Sequence, residues 1–128
     1  MENLICLLLV LLTIYVSVGA YRERKEGIPL FVMGWKPVLI LSDSMEPTIP
    51  TGSIVLIRER SPDSIPAPGD IIMFQLKTKN GPVYVTHRLM ECTEAGWITK
   101  GDHNSVQDPE PIQPSDWMGT VKTVLYRR

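Results

Sequence analysis

The stretch LSDSMEPTIPTGSIVLI, residues Leu41 to Ile57, places a cluster of polar residues and two prolines between apolar runs. The run PVLILSDS (37–44) enters this stretch as a strand, and SIVLIRE (53–59) leaves it as another. Serine, aspartate and proline favour sharp turns. The stretch therefore predicts two strands joined by a turn that its prolines stiffen.

The chain downstream continues in short strands. The runs DIIMFQL (70–76) and VYVTHRLMEC (83–92) flank KTKNGP, in which Asn80-Gly81 is a strong hairpin signal. GWITKGD (96–102) and WMGTVKTVLYRR (117–128) indicate further strands, and the proline-rich 61–70 indicates a loop. Without sustained helical periodicity here, we expect a mostly β fold, a small curved antiparallel β-domain.

The N-terminal run predicts a membrane helix. Leu4 to Ala20 carries no charge, and as a helix its about 17 residues would span about 26 Å, close to the ~30 Å hydrocarbon core of a bilayer. Val18-Gly19-Ala20 resembles a small-residue cleavage site, so a removable signal peptide is the competing interpretation. The absence of Lys or Arg before the run favours an uncleaved anchor.

Bulk properties narrow the possible functions. A chain of 128 residues has room for one domain, and its net charge of -1 provides no field that would attract nucleic acid. Cys6 lies in the apolar run and Cys92 far downstream, which argues against a disulfide framework. No Cys/His spacing suggests zinc, and we expect no metal or cofactor.

Serine, histidine and aspartate occur where acyl-transfer chemistry could use them. Ser44 lies at a strand end, His87 lies within a strand, and Asp102 and Asp108 lie in one loop. A hydroxyl needs an imidazole to take its proton, and the imidazole needs a carboxylate to fix its tautomer. The same residues also fit ordinary turns and a half-buried strand histidine, so the residues alone leave both interpretations open.

Four segments in order resemble the conserved boxes of signal peptidase I: SDSMEPTIPTGSIVLI, PGDIIMFQ, VTHRL and TKGDHNSVQDP. At the histidine of VTHRL the chain resembles the endoplasmic-reticulum-like branch of the family, which is also found in archaea and sporulating Gram-positive bacteria. Bacterial-type relatives have lysine at this position. The boxes extend from about Leu41 to Pro109 and cover most of the β-domain.

The resemblance implies a role for each matched residue. Ser44 matches the nucleophile, His87 the general base and Asp108 the third catalytic member. Ser42, together with the backbone N–H of Ser44, would supply the oxyanion hole. Asp102 matches a second important acidic position, either supporting or participating in the site.

The function implied is a membrane-bound serine endopeptidase that removes N-terminal signal peptides from exported preproteins after small-x-small sites. Its partners would be preprotein signal peptides and the lipid bilayer, with no nucleic acid; accessory subunits stay open. The expected domains are an anchor (1–21), a juxtamembrane segment with the first strand (22–40) and a catalytic β-domain (41–128).

Two points stay open beside this interpretation. The family places the catalytic domain on the extracytoplasmic side, whereas Arg22, Arg24 and Lys25 after the helix favour the cytoplasm by the positive-inside rule. Asp43 stands where the family usually has glycine, and this departure makes an inactive homologue a further alternative. A non-catalytic membrane-tethered β-domain, serving as a subunit of a processing or secretion complex, is the alternative from a different class.

Overall fold

The computed structural model describes all residues from Met1 to Arg128, which form two compact units, Met1–Met33 and Gly34–Arg128. The first unit is built on helix α1, Glu2–Glu26, which is long and apolar enough to cross a membrane. The expected division into an anchor (1–21), a juxtamembrane segment with the first strand (22–40) and a catalytic β-domain (41–128) stays a prediction.

Helix α1 extends past the uncharged run that predicts it. Its last turns consist of Arg, Glu and Lys, which are good helix formers, and Arg22 Nε lies 3.2 Å from a carboxylate oxygen of Glu26. The helix ends at Gly27, whose φ of 69° is left-handed and whose N–H donates to the Glu23 carbonyl at 3.1 Å. The glycine is needed here because a side chain would strain this conformation.

The second unit is one six-stranded sheet in which every pairing is antiparallel, in the order β1-β2-β6-β3-β4-β5. The strands are β1 (Trp35–Leu39), β2 (Ile54–Glu59), β3 (Ile71–Thr78), β4 (Gly81–Thr93), β5 (Gly96–Lys100) and β6 (Trp117–Tyr126). A 3₁₀ turn at Pro114–Asp116 precedes β6. The expected fold, a mostly antiparallel β-domain with one N-terminal helix, is confirmed.

Strand β3 lies inside the sheet and is covered on both faces. Ile72, Met73 and Phe74 follow one another and are all buried, although successive strand residues point to opposite faces. A continuous apolar run without alternation is what a doubly covered strand requires. On one face Ile72 and Phe74 belong to a core cluster with Leu89, Trp97, Ile112 and Trp117.

Strands β3 and β4 form the hairpin that the Asn80-Gly81 signal predicts. Thr78 pairs with Gly81, so the connection is only Lys79-Asn80, and both strands extend further into KTKNGP than the apolar pattern predicts. The hairpin matters for the site because its register sets Ile72 opposite His87 and so fixes the histidine in the sheet.

Candidate active site

The turn that carries Ser42 and Ser44 is closed at its neck by main-chain hydrogen bonds. The Ile40 N–H donates to the Ser53 carbonyl at 2.9 Å, and the Gly52 N–H donates to the Ile40 carbonyl at 2.7 Å. Within the turn, Met45 is 1% exposed, so its side chain fixes the turn to the domain while its neighbours stay near the surface. This burial explains why an otherwise polar stretch contains an apolar methionine.

Ser44, His87 and Asp108 form one chain of hydrogen bonds. The Ser44 hydroxyl lies 3.1 Å from Nε2 of His87, and Nδ1 of the same ring lies 2.7 Å from Oδ2 of Asp108. The turn after β1, strand β4 and the loop after β5 supply one side chain each. An imidazole between a hydroxyl and a carboxylate can take the hydroxyl proton while the carboxylate holds its tautomer.

The carboxylate of Asp108 is fixed from more than one side. Thr99 on β5 is fully buried and donates its hydroxyl to Oδ2 of Asp108 at 2.6 Å. The Asp108 N–H donates to the Thr99 carbonyl at 2.8 Å, so backbone and side chain of the two residues are both joined. The ring of His87 also meets the edge of Phe74, with centroids 6.2 Å apart. These contacts leave His87 little freedom to rotate away from Ser44.

The loop after β5 packs directly against the nucleophile turn. The His103 N–H donates to the Ser44 carbonyl at 2.9 Å. A Cβ at Gly101 would come within 2.6 Å of the same carbonyl, so only glycine allows this approach. On the other side, the Ser42 hydroxyl lies 3.0 Å from the Ser44 hydroxyl, near enough to reach an oxyanion formed there.

Asp102 does not join the Ser44–His87–Asp108 chain. Its carboxylate accepts two hydrogen bonds from Arg88, at 2.8 and 2.7 Å, and one from the Thr48 hydroxyl at 2.6 Å. The Arg88 hydrogen bonds, and then that of Thr48, hold the pKa of Asp102 below its usual range, and Asp102 in turn raises the pKa of Arg88. Because Thr48 belongs to the nucleophile turn and Arg88 follows His87, this ion pair joins the elements that carry the nucleophile and the base.

Asp43 does not occupy a position that requires glycine. Its φ lies outside the left-handed region, its side chain is exposed, and its carbonyl accepts the Glu46 N–H at 3.0 Å in an ordinary turn. Glu46 itself is bound to Thr51, whose N–H lies 3.1 Å from the carboxylate and lowers the pKa of that group. The departure from the family pattern at position 43 therefore leaves the turn intact.

A cleft of about 490 Å³ opens beside Ser44 and His87. One wall is the end of β1 and the residues after it, Val38 to Leu41, and the other is Tyr84 to His87 of β4. Met73 lines it as well. Strand β1 is at the edge of the sheet, and β5 pairs with β4 only from Arg88 onward, so both walls present main chain that is paired on one side only.

Several residues of the site were not singled out by sequence reasoning. Thr99, Thr48 and Arg88 are common residue types with no spacing signal of their own, and only the fold brings them to Asp108 and Asp102. Gly101 gave a weak signal through its place in Lys-Gly-Asp. No group of three or more His, Cys, Asp and Glu side chains in the 128 residues is arranged to hold a metal ion.

Comparison with curated proteins identifies relatives of the chain, whereas no protein-family model matches it. Signal peptidase I W of Bacillus subtilis is 30% identical over 115 residues, which cover 87% of this chain and 59% of that protein. The signal peptidase complex catalytic subunit SEC11 of Clavispora lusitaniae is 32% identical over 100 residues, covering 69% of this chain and 58% of that subunit. SEC11 of Chaetomium globosum is 34% identical over 77 residues, covering 57% and 44%.

These relatives are longer than the chain, which spans about three-fifths of the length of the first two. The aligned part nevertheless covers most of the chain itself. The resemblance to signal peptidase I is confirmed by relatives that are named signal peptidase I W and SEC11. The chain therefore belongs to the signal peptidase I family.

Proposed function

We propose that the chain is a membrane-bound serine endopeptidase that removes signal peptides from exported preproteins. The observation that carries the proposal is the hydrogen-bonded chain Ser44–His87–Asp108, with 3.1 Å and 2.7 Å between its members. A non-catalytic β-domain would have no need for these three side chains to meet. Their contact supports the enzyme over that alternative.

The reaction follows from the geometry. His87 takes the proton of the Ser44 hydroxyl, and the oxygen attacks the carbonyl carbon before the scissile bond. The Ser42 hydroxyl, 3.0 Å from the nucleophile, donates to the oxyanion that develops. His87 then gives its proton to the leaving amine, and water hydrolyses the acyl-enzyme at Ser44.

The substrate segment binds as an extended strand along the cleft. The exposed edge of β1 supplies main-chain donors and acceptors, as in other cases of strand addition. The side chains of Ile40, Leu41 and Met73 leave shallow apolar space near Ser44. Such space accepts small side chains one and three residues before the cut and excludes larger ones, which accounts for a small-x-small preference.

The membrane helix brings enzyme and substrate into the same two-dimensional phase and raises their effective concentration. We place the catalytic unit on the extracytoplasmic side, where the cleavage site of an exported preprotein emerges. The basic residues Arg22, Arg24 and Lys25 oppose this orientation. A requirement for accessory subunits would be compatible with the similarity to SEC11, which is named as the catalytic subunit of a complex.

The test uses purified chain in liposomes with two matched preproteins. One has alanine one and three residues before the cut, and the other has phenylalanine at both positions. We expect cleavage of the first only, with the new N-terminus identified by mass spectrometry, and none by Ser44→Ala. Cleavage of both preproteins at the same rate would overturn the proposed specificity, and cleavage by the variant would overturn the site.

A further inference from the structure

Asn104 lies beside the nucleophile with a side-chain amide that no other group of the chain binds. A Cβ added to Gly101 would lie 2.7 Å from Nδ2 of Asn104 and 3.1 Å from Cβ of Ser44, so the carboxamide and the nucleophile are neighbours. The Asn104 N–H donates to the Gly101 carbonyl at 3.0 Å, whereas the carboxamide forms no hydrogen bond within the 128 residues. Because Asn104 is half-buried and lines the cleft, its amide is positioned to bind a ligand there.

The same side chain also lines a second concavity, of about 480 Å³, which residues 103–109 form. This volume is in the range of ligand pockets, about 300–1,000 Å³. Main-chain hydrogen bonds fix the loop at both ends. The His103 N–H donates to the Ser44 carbonyl at 2.9 Å, and the Asp108 N–H donates to the Thr99 carbonyl at 2.8 Å. The concavity is therefore preformed, and it adjoins the cleft at Asn104.

Cleavage at Ser44 requires a place for the substrate segment that follows the cut. The residues before the cut lie along the cleft, and the leaving nitrogen has to lie near Nε2 of His87, which is 3.1 Å from the Ser44 hydroxyl. The main chain after this nitrogen leaves the cleft, and the concavity of residues 103–109 continues from the cleft at Asn104. The role of the concavity rests on the proposed function, which supplies the cleavage at Ser44.

We propose that the concavity binds the first residues after the cut and that Asn104 holds their main chain. Nδ2 donates to a main-chain carbonyl of this segment and Oδ1 accepts a main-chain N–H, because a carboxamide carries the same kinds of donor and acceptor as a peptide group. The hydrogen bonds orient the scissile bond against Ser44 and His87.

The ligand is an extended peptide recognised by its main chain. The wall of the concavity consists mostly of polar residues, and the apolar Val106 is 72% exposed. Such a wall offers no deep apolar pocket that would select one side chain over another. Main-chain recognition lets one enzyme accept preproteins that differ in sequence after the cut.

The experiment compares two substrates that have the same residues before the cut. One continues for four residues after the cut. The other ends in a methyl ester at the cut, so it acylates Ser44 and releases methanol with no peptide segment in the concavity. Wild type and Asn104→Ala are assayed in the same detergent micelles. Asn80→Ala, which removes an exposed carboxamide from the β3–β4 turn, is the matched control.

We expect Asn104→Ala to lower kcat/KM for the extended peptide by about tenfold, the effect of losing one or two hydrogen bonds to the substrate. Hydrolysis of the ester should fall by less than about twofold, and Asn80→Ala should match the wild type on both substrates. Equal losses on both substrates would show that Asn104 supports Ser44 and not the leaving segment. Unchanged rates on both would show that Asn104 binds neither substrate. Either result would overturn the inference.

A series of peptides that extend one to four residues past the cut tests the concavity with the wild-type chain alone. We expect kcat/KM to rise with this length, and to rise less in Asn104→Ala. A wild-type rate that is independent of length would overturn the inference alone, even where melting curves show that the variant is unstable. If the wild type cleaves neither the peptides nor the ester, the proposed function fails and the inference fails with it.

Discussion

Thr99 is the residue whose role is easiest to separate from packing. Its buried hydroxyl donates to Asp108, the carboxylate bonded to His87. Thr99→Val keeps the shape and removes the donor, and a hydrogen bond to a charged group is worth about 1.5 kcal/mol, or roughly a tenfold change in rate. We expect kcat for preprotein cleavage to fall by about tenfold.

Thr99→Ser is the matched control because it restores the hydroxyl and should recover most of kcat. A melting temperature measured beside the rates identifies a variant that is merely unstable. A fully active Thr99→Val protein would show that Asp108 needs no help from β5.

The Asp102–Arg88 pair gives a prediction about acid stability. Because hydrogen bonds from Arg88 and Thr48 lower the pKa of Asp102, the unfolded chain takes up the proton at a higher pH than the folded chain. The stabilisation is therefore present above the usual aspartate pKa of about 3.9 and is lost as the pH falls through the lower folded value.

We expect Asp102→Asn to lower the Tm near neutral pH by the equivalent of roughly 1–2 kcal/mol. The gap to the wild type should close as the pH falls below the usual aspartate pKa of about 3.9. Melting curves across pH 2–7 in detergent measure both. Asp63→Asn, an exposed loop carboxylate, serves as the control. A gap that stays constant over this range would contradict the assigned pKa direction.

The residues of the site were predictable where a motif marked them and not elsewhere. The boxes predict Ser44, His87 and Asp108 as site residues, and the structure brings these three together with Ser42. Thr48 contacts Asp102 from 54 residues away, and Arg88 and Thr99 contact their carboxylate partners across 14 and 9 residues, through the folding of β4, β5 and the loop after β5. No local pattern in the sequence encodes these contacts. The catalytic roles themselves stay predictions.

At the level of elements, strand β1 determines how a substrate would bind. The Ile40 N–H and C=O form hydrogen bonds with Ser53 and Gly52, on the side of β1 that faces β2. Because successive residues of a strand direct these groups to opposite sides, the N–H and C=O of Leu39 and Leu41 point to the free edge. Pro37 lies two residues before Leu39, so its main chain faces the same free edge, and this edge therefore tolerates a residue without an N–H.

Leu39→Pro should therefore fold and lose one hydrogen bond to the substrate main chain. We expect KM to rise about fivefold for the loss of about 1 kcal/mol, with kcat changed less. Steady-state kinetics measure the two separately, and Leu39→Ala, which keeps the N–H, controls for the lost side chain. An unchanged KM in Leu39→Pro would place the substrate elsewhere.

The strands were predictable as elements because alternation, turn residues and apolar runs are local properties. Their ends were less so. Thr78 and Gly81 lie in a polar stretch without apolar pattern, yet they continue β3 and β4 because a two-residue turn lets the ladder close. The order of the strands, with β6 between β2 and β3, depends on the shared core and has no local signature.

At the level of the whole molecule, the prediction concerns the side of the membrane on which the second unit, Gly34–Arg128, lies. Cys92 is exposed in β4 and is the single cysteine of the second unit, so it reports the side on which that unit lies. With Cys6→Ser as background, a membrane-impermeant thiol reagent should label Cys92 in right-side-out vesicles. In inverted vesicles we expect labelling only after detergent is added.

The opposite pattern would place the catalytic unit in the cytoplasm, as the positive-inside rule for Arg22, Arg24 and Lys25 predicts. A second vesicle marker of known orientation controls for leakage.

Ser44 and His87 should act together in a single proton transfer, and a double-mutant cycle on preprotein cleavage measures that coupling. We expect Ser44→Ala and His87→Ala each to lower kcat by at least about 10³-fold, and the double variant to be no slower than either, because each loss disables the same proton transfer. Losses that multiply would show that the two residues act independently, and a Ser44→Ala protein that still cleaves at the wild-type rate would show that Ser44 is not the nucleophile.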